Sequence, residues 1–74
     1  MPEIKFPLTT EYINLIQLLK GTSVVMSGGE AKMFVDDGFV LVNGEPESRR
    51  RRKLRVGDVV LLNGQISIQL IKSE

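Results

Sequence analysis

The sequence predicts a small α+β domain in which two helices pack on one small, mostly antiparallel sheet, and three observations carry that expectation. Tyr12, Leu15, Ile16 and Leu19 stand at the i, i+3, i+4, i+7 spacing of one helical face. Ser27 and Glu30 have the spacing of a capping box just ahead of Ala31, Phe34 and Val35, the apolar face of a second helix. Beyond Gly38 the period changes: the apolar runs Phe39 to Val42 and Val59 to Leu62, and an alternating run from Ile66 to Leu70, are punctuated by Asn43-Gly44 and Asn63-Gly64. Asn-Gly between such runs signals a hairpin, because both residues tolerate the positive φ of a tight reversal.

The elements follow in order. Glu3-Ile4-Lys5-Phe6 alternates polar with apolar and predicts a short edge strand ended by Pro7, which has no N–H for a ladder. Thr9 or Thr10 is expected to cap the first helix, with Glu11 favourable at its positive end and Lys20 and Gly21 closing it. Thr22 to Met26 connects to the second helix, whose first turn holds Gly28 and Gly29 at a cost of roughly 1 kcal/mol each relative to alanine. Two reasons fit these glycines: a bare helix start that lets a phosphate reach the free N–H groups, or a tight helix-to-helix connection. Gly38 stops the helix. Phe39 to Val42 suits a strand buried on both sides. Glu45-Pro46 is expected to interrupt pairing, so that the chain leaves the sheet as a loop until Val56-Gly57-Asp58 turns it into the strand at Val59. Ile66, Ile68 and Leu70 alternate with Ser67 and Gln69 on a half-exposed strand, and Ser73 and Glu74 fray.

Composition narrows the function. A chain of 74 residues makes one domain, which buries only about 60% of its unfolded surface and leaves little room for both a core and a catalytic cleft. It has no Cys and no His, which removes thiolate nucleophiles, most zinc sites and the commonest general base. No carboxylate pair or metal cluster stands at a useful spacing, and Asp36-Asp37 read as solvated residues ahead of a helix-terminating glycine. No enzyme, metal or cofactor is expected. Glu3, Lys5, Pro7 and Glu11 break up the start, so neither a signal peptide nor a membrane span is expected there, and a soluble cytoplasmic protein is.

The informative feature is the charge. From Arg49 to Arg55 six of seven residues are basic: Arg49, Arg50, Arg51, Arg52, Lys53 and Arg55. Without them the chain keeps four Lys/Arg against nine Asp/Glu, a net −5, so the overall +1 conceals a strong charge dipole. A basic patch on an acidic body favours one oriented docking mode. Guanidinium groups match phosphate oxygens bidentately, which makes a folded nucleic acid the simplest partner. None of the four aromatics stands within the run, which argues for readout of shape and phosphates over base stacking.

Ala31-x-x-Phe34-Val35-x-x-Gly38-x-Val40-x-Val42-Asn43-Gly44, followed by Leu54-x-x-Gly57-Asp58-x-Val60, resembles the RNA-binding domain named after small-subunit ribosomal protein S-four. The likeness runs without a gap from Ser27 to Val60, and the chain most resembles the small free-standing bacterial members, the YaaA-like proteins. It implies the αL-type RNA-binding fold of that family over a single domain, residues 1–74 with its core at 11–62. It also implies a non-catalytic protein that recognises structured RNA, ribosomal RNA or ribosomal particles above all, in ribosome assembly or maturation. Two family contacts are absent: Gly28 stands where members carry Arg, and Asn14-Leu15-Ile16 stands for Arg-Leu-Asp. The RNA contacts expected here are therefore Arg49 to Lys53 and Arg55, with Lys32, Ser27, Gly28 and Gly29 as secondary ones. Lys32 equally suits a solvated pair with Asp36 at i+4. An alternative is a protein-binding module whose basic arm docks an acidic partner. A β-grasp modifier shares Val-Asn-Gly-Glu, but its chemistry needs a terminal Gly-Gly where this chain has Ser73-Glu74.

Overall fold

A computed structural model describes residues 2–73 and contains nine elements: β1 (Glu3–Leu8), β2 (Ile13–Asn14), α1 (Leu15–Gly21), α2 (Gly28–Asp36), β3 (Val40–Val42), β4 (Glu45–Pro46), β5 (Lys53–Leu54), β6 (Val59–Leu62) and β7 (Ile66–Lys72). Five strands form one sheet in the order β1-β7-β6-β3-β4, and β2 with β5 forms a separate two-stranded ladder. All pairings are antiparallel except β1 with β7. Val40, Val42, Val60, Leu62, Ile68 and Leu70 point from the sheet into one core, which Leu15, Leu18 and Leu19 of α1 and Ala31 and Val35 of α2 complete. This is the expected α+β arrangement. No helix among the described residues is long and apolar enough to cross a membrane.

The glycine and asparagine signals hold. Asn43 and Gly44 have φ of 52° and 86°, and Asn63 and Gly64 of 53° and 64°, so both hairpins turn where the dipeptides stand. Ser27 caps α2, its hydroxyl accepting from the Glu30 amide at 3.2 Å, while the Glu30 carboxylate accepts from the Met26 amide at 3.1 Å. Gly38, at φ 81°, ends that helix.

Several boundaries differ from expectation. Pro7 does not end β1, because an edge strand tolerates a residue without a ladder donor and the strand runs on to Leu8. The first helix starts at Leu15 rather than after Thr9 or Thr10. Asn14 and Gln17 form a reciprocal capping box there, the Asn14 side chain accepting from the Gln17 amide at 2.9 Å, while Ile13 and Asn14 are held in a ladder. Glu11 and Tyr12 therefore precede the helix. Glu45-Pro46 stays in the sheet as β4, again at an edge. Phe39 lies outside the core and outside β3, 46% exposed, with its ring edge-on to Phe34. The strand after it is buried on one face only, since the helices cover one side and Leu41 is half-buried on the other. The expected fraying of Ser73 and Glu74 falls in part on Glu74, outside the described residues.

Candidate nucleic-acid interface

The basic arm is not a free loop. After β4 the Glu47 amide donates to the Val40 carbonyl at 3.0 Å, which turns the Glu47 side chain inward until only 6% of the residue is exposed. A buried carboxylate requires donors, and the next residues supply them. Glu47 accepts from the Arg49 amide (3.2 Å), Arg49 Nε (3.1 Å), Arg49 Nη2 (3.0 Å) and Arg52 Nη1 (2.6 Å). The side-chain hydrogen bonds from Arg49 and then Arg52 outweigh the opposing effect of burial and lower the Glu47 pKa to about 2.

The arm's carbonyls have a second task. The first amides of α1 find no carbonyl within their own helix. Leu15 N donates to the Arg52 carbonyl at 3.0 Å, and Ile16 N to the Arg50 carbonyl at 3.3 Å. Lys53 and Leu54 then pair with Asn14 and Ile13, and Leu54 is fully buried. The arm thus completes the N-terminus of α1 and contributes to the core. That tertiary role gives the arm a defined path despite its charge.

Arg50 reaches the far end of α2, where Nε lies 3.0 Å from Asp36 Oδ1. A carboxylate in the last turn of a helix is unfavourable against the helix dipole, and the guanidinium offsets this. The Arg50 hydrogen bond holds the Asp36 carboxyl below its ordinary range, and Asp36 in turn raises the Arg50 guanidinium. Arg51, Lys53, Arg55 and Lys32 have no carboxylate in ion-pair contact among the described residues. Lys53 Nζ sits 4.8 Å from the centroid of the Tyr12 ring, and the Arg55 guanidinium carbon 6.0 Å from it.

The arm's exit is fixed by the first hairpin. Arg55 N donates to Asp58 Oδ2 at 2.8 Å, Asn43 Nδ2 donates to Asp58 Oδ1 at 3.1 Å, and Asn43 Oδ1 accepts from Val59 N at 2.9 Å. One asparagine therefore makes the turn and ties it to the exit of the excursion.

The six basic residues, with Asp36 and Ser48, line one open depression. Beside it Lys32 shares a second with Asn14, Ile16, Gln17, Arg50 and Arg51, so the fold brings Lys32 to the arm. Ser27, Gly28 and Gly29 are not brought there. They lie at the opposite end of α2 from Asp36, about 12 Å along the axis, with the Lys20 side chain beside Gly28. A Cβ at either glycine would meet only ordinary contacts, so steric crowding does not account for them. Sequence reasoning missed Glu47, Asp36 and Tyr12. The Glu47-x-Arg49 pairing carried a local charge signal, whereas Asp36 and Tyr12 reach the arm only through tertiary structure.

Residues 6–70 match the family described as the S4 domain. Over 64 residues the chain is 52% identical to a protein of Bacillus subtilis (strain 168) described as a probable ribosome maturation protein, RlbA; the aligned stretch covers 86% of this chain and 90% of that protein. The crystal structure of the 30S ribosomal protein S4e from Thermoplasma acidophilum superposes with a TM-score of 0.60 at 21% identity, over 80% of this chain. The match spans 31% of that ribosomal protein, and the likeness is one of fold.

Proposed function

The chain belongs to the S4 domain family, and from that premise we propose that it is a non-catalytic, cytoplasmic RNA-binding protein that recognises ribosomal RNA or ribosomal particles during ribosome assembly or maturation. The observation that carries the reading is the convergence of the arm's cations with Lys32 on one face. Arg51, Lys53, Arg55 and Lys32 have no carboxylate in ion-pair contact among the described residues and are the first phosphate contacts. Arg49, Arg50 and Arg52 stand in fixed orientations beside them, each held through some of its nitrogens by Glu47 or Asp36. A guanidinium has five N–H donors, so one bound to a carboxylate still offers others to a phosphate. A-form RNA is read mainly by its shape, phosphates and 2′-hydroxyls, which suits a rigid array of donors. Ser27, Gly28 and Gly29 form a separate secondary contact, at the other end of α2, where Lys20 supplies the cation.

The test is crosslinking in living cells with sequencing of the RNA recovered on the tagged protein. Enrichment of one ribosomal RNA region is the expected result. Enrichment of transfer RNA would keep the binding chemistry and move the process, and recovery no better than an untagged control would favour an acidic protein partner.

A further inference from the structure

The fold places one aromatic ring against the basic arm, although no aromatic residue stands within the arm's sequence. The β2–β5 ladder sets Asn14 opposite Lys53, and this brings the preceding Tyr12 ring to 4.8 Å from Lys53 Nζ and 6.0 Å from the Arg55 guanidinium carbon. Tyr12 is 43% exposed and lies outside the hydrophobic core, so packing alone does not require a large ring there. Tyr12 also lines a depression, together with Phe6, Leu8, Thr9, Thr10 and Glu11. An apolar floor with hydroxyls therefore lies next to two cations that have no carboxylate in ion-pair contact among the described residues.

We infer that Tyr12, Lys53 and Arg55 form a subsite for a single unpaired nucleotide of the bound RNA, its base stacked on Tyr12 at this depression and its flanking phosphates on Lys53 and Arg55. The inference rests on the RNA-binding reading of the arm. Every nucleobase presents a π-face, and stacking on an aromatic side chain is the common way a protein holds one that has left the helix. Charge fixes the orientation. Glu11 lines the depression and repels a phosphate, whereas Lys53 and Arg55 attract one, so the base enters the depression and the backbone stays on the arm. The attraction of an exposed cation to a ring is weak, and Lys53 transfers from Tyr12 to the arriving phosphate.

Tyr12 is the only tyrosine and the chain has no tryptophan, so the protein's intrinsic emission reports this ring. The intact protein is titrated with a fully paired RNA hairpin and with the same hairpin carrying one unpaired adenosine, binding being followed independently by anisotropy of a label on the RNA. At saturation the hairpin with the unpaired adenosine quenches the tyrosine emission and the paired one leaves it nearly unchanged. Tyr12→Leu lowers affinity for the first hairpin about 5- to 150-fold, the range expected for one stacked base, without changing affinity for the second, and Tyr12→Phe restores it. Equal quenching by both hairpins, or an equal loss on both in Tyr12→Leu, overturns the subsite while leaving RNA binding intact. Binding of neither hairpin overturns the RNA-binding reading and the subsite together.

Discussion

Glu47→Gln isolates the charge that organises the arm. The two side chains have nearly the same shape, so packing around a residue 6% exposed is retained while the negative charge is lost. In the folded protein, hydrogen bonds from Arg49 and then Arg52 hold the Glu47 pKa at about 2, against an unperturbed 4.5. That displacement corresponds to about 3 kcal/mol of preference for the ionised form. The partners stand partly in water, with 69% of the Arg49 and 32% of the Arg52 side chain exposed, and screening there reduces the net contribution to about 1–2 kcal/mol. For a domain of this size the expected fall in melting temperature at neutral pH is about 4–16 °C. The pH dependence has a definite sign. The folded pKa is below the unfolded one, so the contribution is complete above pH 4.5, shrinks as pH falls, and drops under half of its neutral value by about pH 3. Melts of both proteins followed by circular dichroism between pH 7 and pH 3 measure the gap. Equal melting temperatures at pH 7, or a gap as wide at pH 3 as at pH 7, would refute the assignment of Glu47 as the arm's anchor.

Two further substitutions probe the remaining anchors. Asp36→Asn releases Arg50 from its carboxylate and is expected to tighten RNA binding and steepen its salt dependence by about one counterion, with melting temperature little changed; a titration at several salt concentrations with unaltered slope would rule this out. Asn43 combines a φ of 52° with side-chain bonds to Asp58 and Val59. Asn43→Gly therefore loses about 1–2 kcal/mol from the hydrogen bonds alone, and Asn43→Val loses more because a β-branched residue is strained at positive φ; urea denaturation giving equal stability for the two variants would contradict the turn's role.

Features that depend on adjacent residues were legible in the sequence, and those that depend on contacts across the chain were not. Ser27 with Glu30, Asn43-Gly44, Gly57 and Asn63-Gly64 act through their own backbone geometry, and each signalled the element it forms. β2 and β5 have two residues each, too short to display any period, and pair only because the arm folds back onto the start of α1. That hidden ladder also displaced the helix start, since Thr10 and Glu11 imitate a cap that Asn14 and Gln17 supply. The basic run was legible as a cluster of charge, but its ion pairs were not. Arg50 meets an aspartate fourteen positions away, and Glu47 is buried only because its amide joins the edge of the sheet.

The pinned arm has a consequence for how strongly it responds to salt. A loop of six free cations together with Lys32 would displace counterions at seven phosphates, for a slope of log affinity against log salt of roughly −5 to −6. Glu47 and Asp36 engage Arg49, Arg50 and Arg52 before any RNA arrives, so these three release few counterions on binding. The effective number is then four, Lys32, Arg51, Lys53 and Arg55, which have no carboxylate in ion-pair contact among the described residues, for a slope of roughly −3 to −4. Single changes sharpen the distinction. Arg51→Ala, Lys53→Ala or Arg55→Ala should each flatten the slope by about 0.7–0.9 with little loss of stability. Arg49→Ala combined with Arg52→Ala strips Glu47 of its side-chain donors and should lower the melting temperature while changing the slope less than any two of the others. A slope near −6 for the unaltered protein would mean that the ion pairs open on binding and that the arm meets RNA as a flexible polycation. A slope near −3 means that the carboxylates stay in place and fix the directions in which the remaining guanidinium hydrogens point. Selectivity for one RNA shape over another then follows from geometry, because a rigid array of donors fits few phosphate spacings.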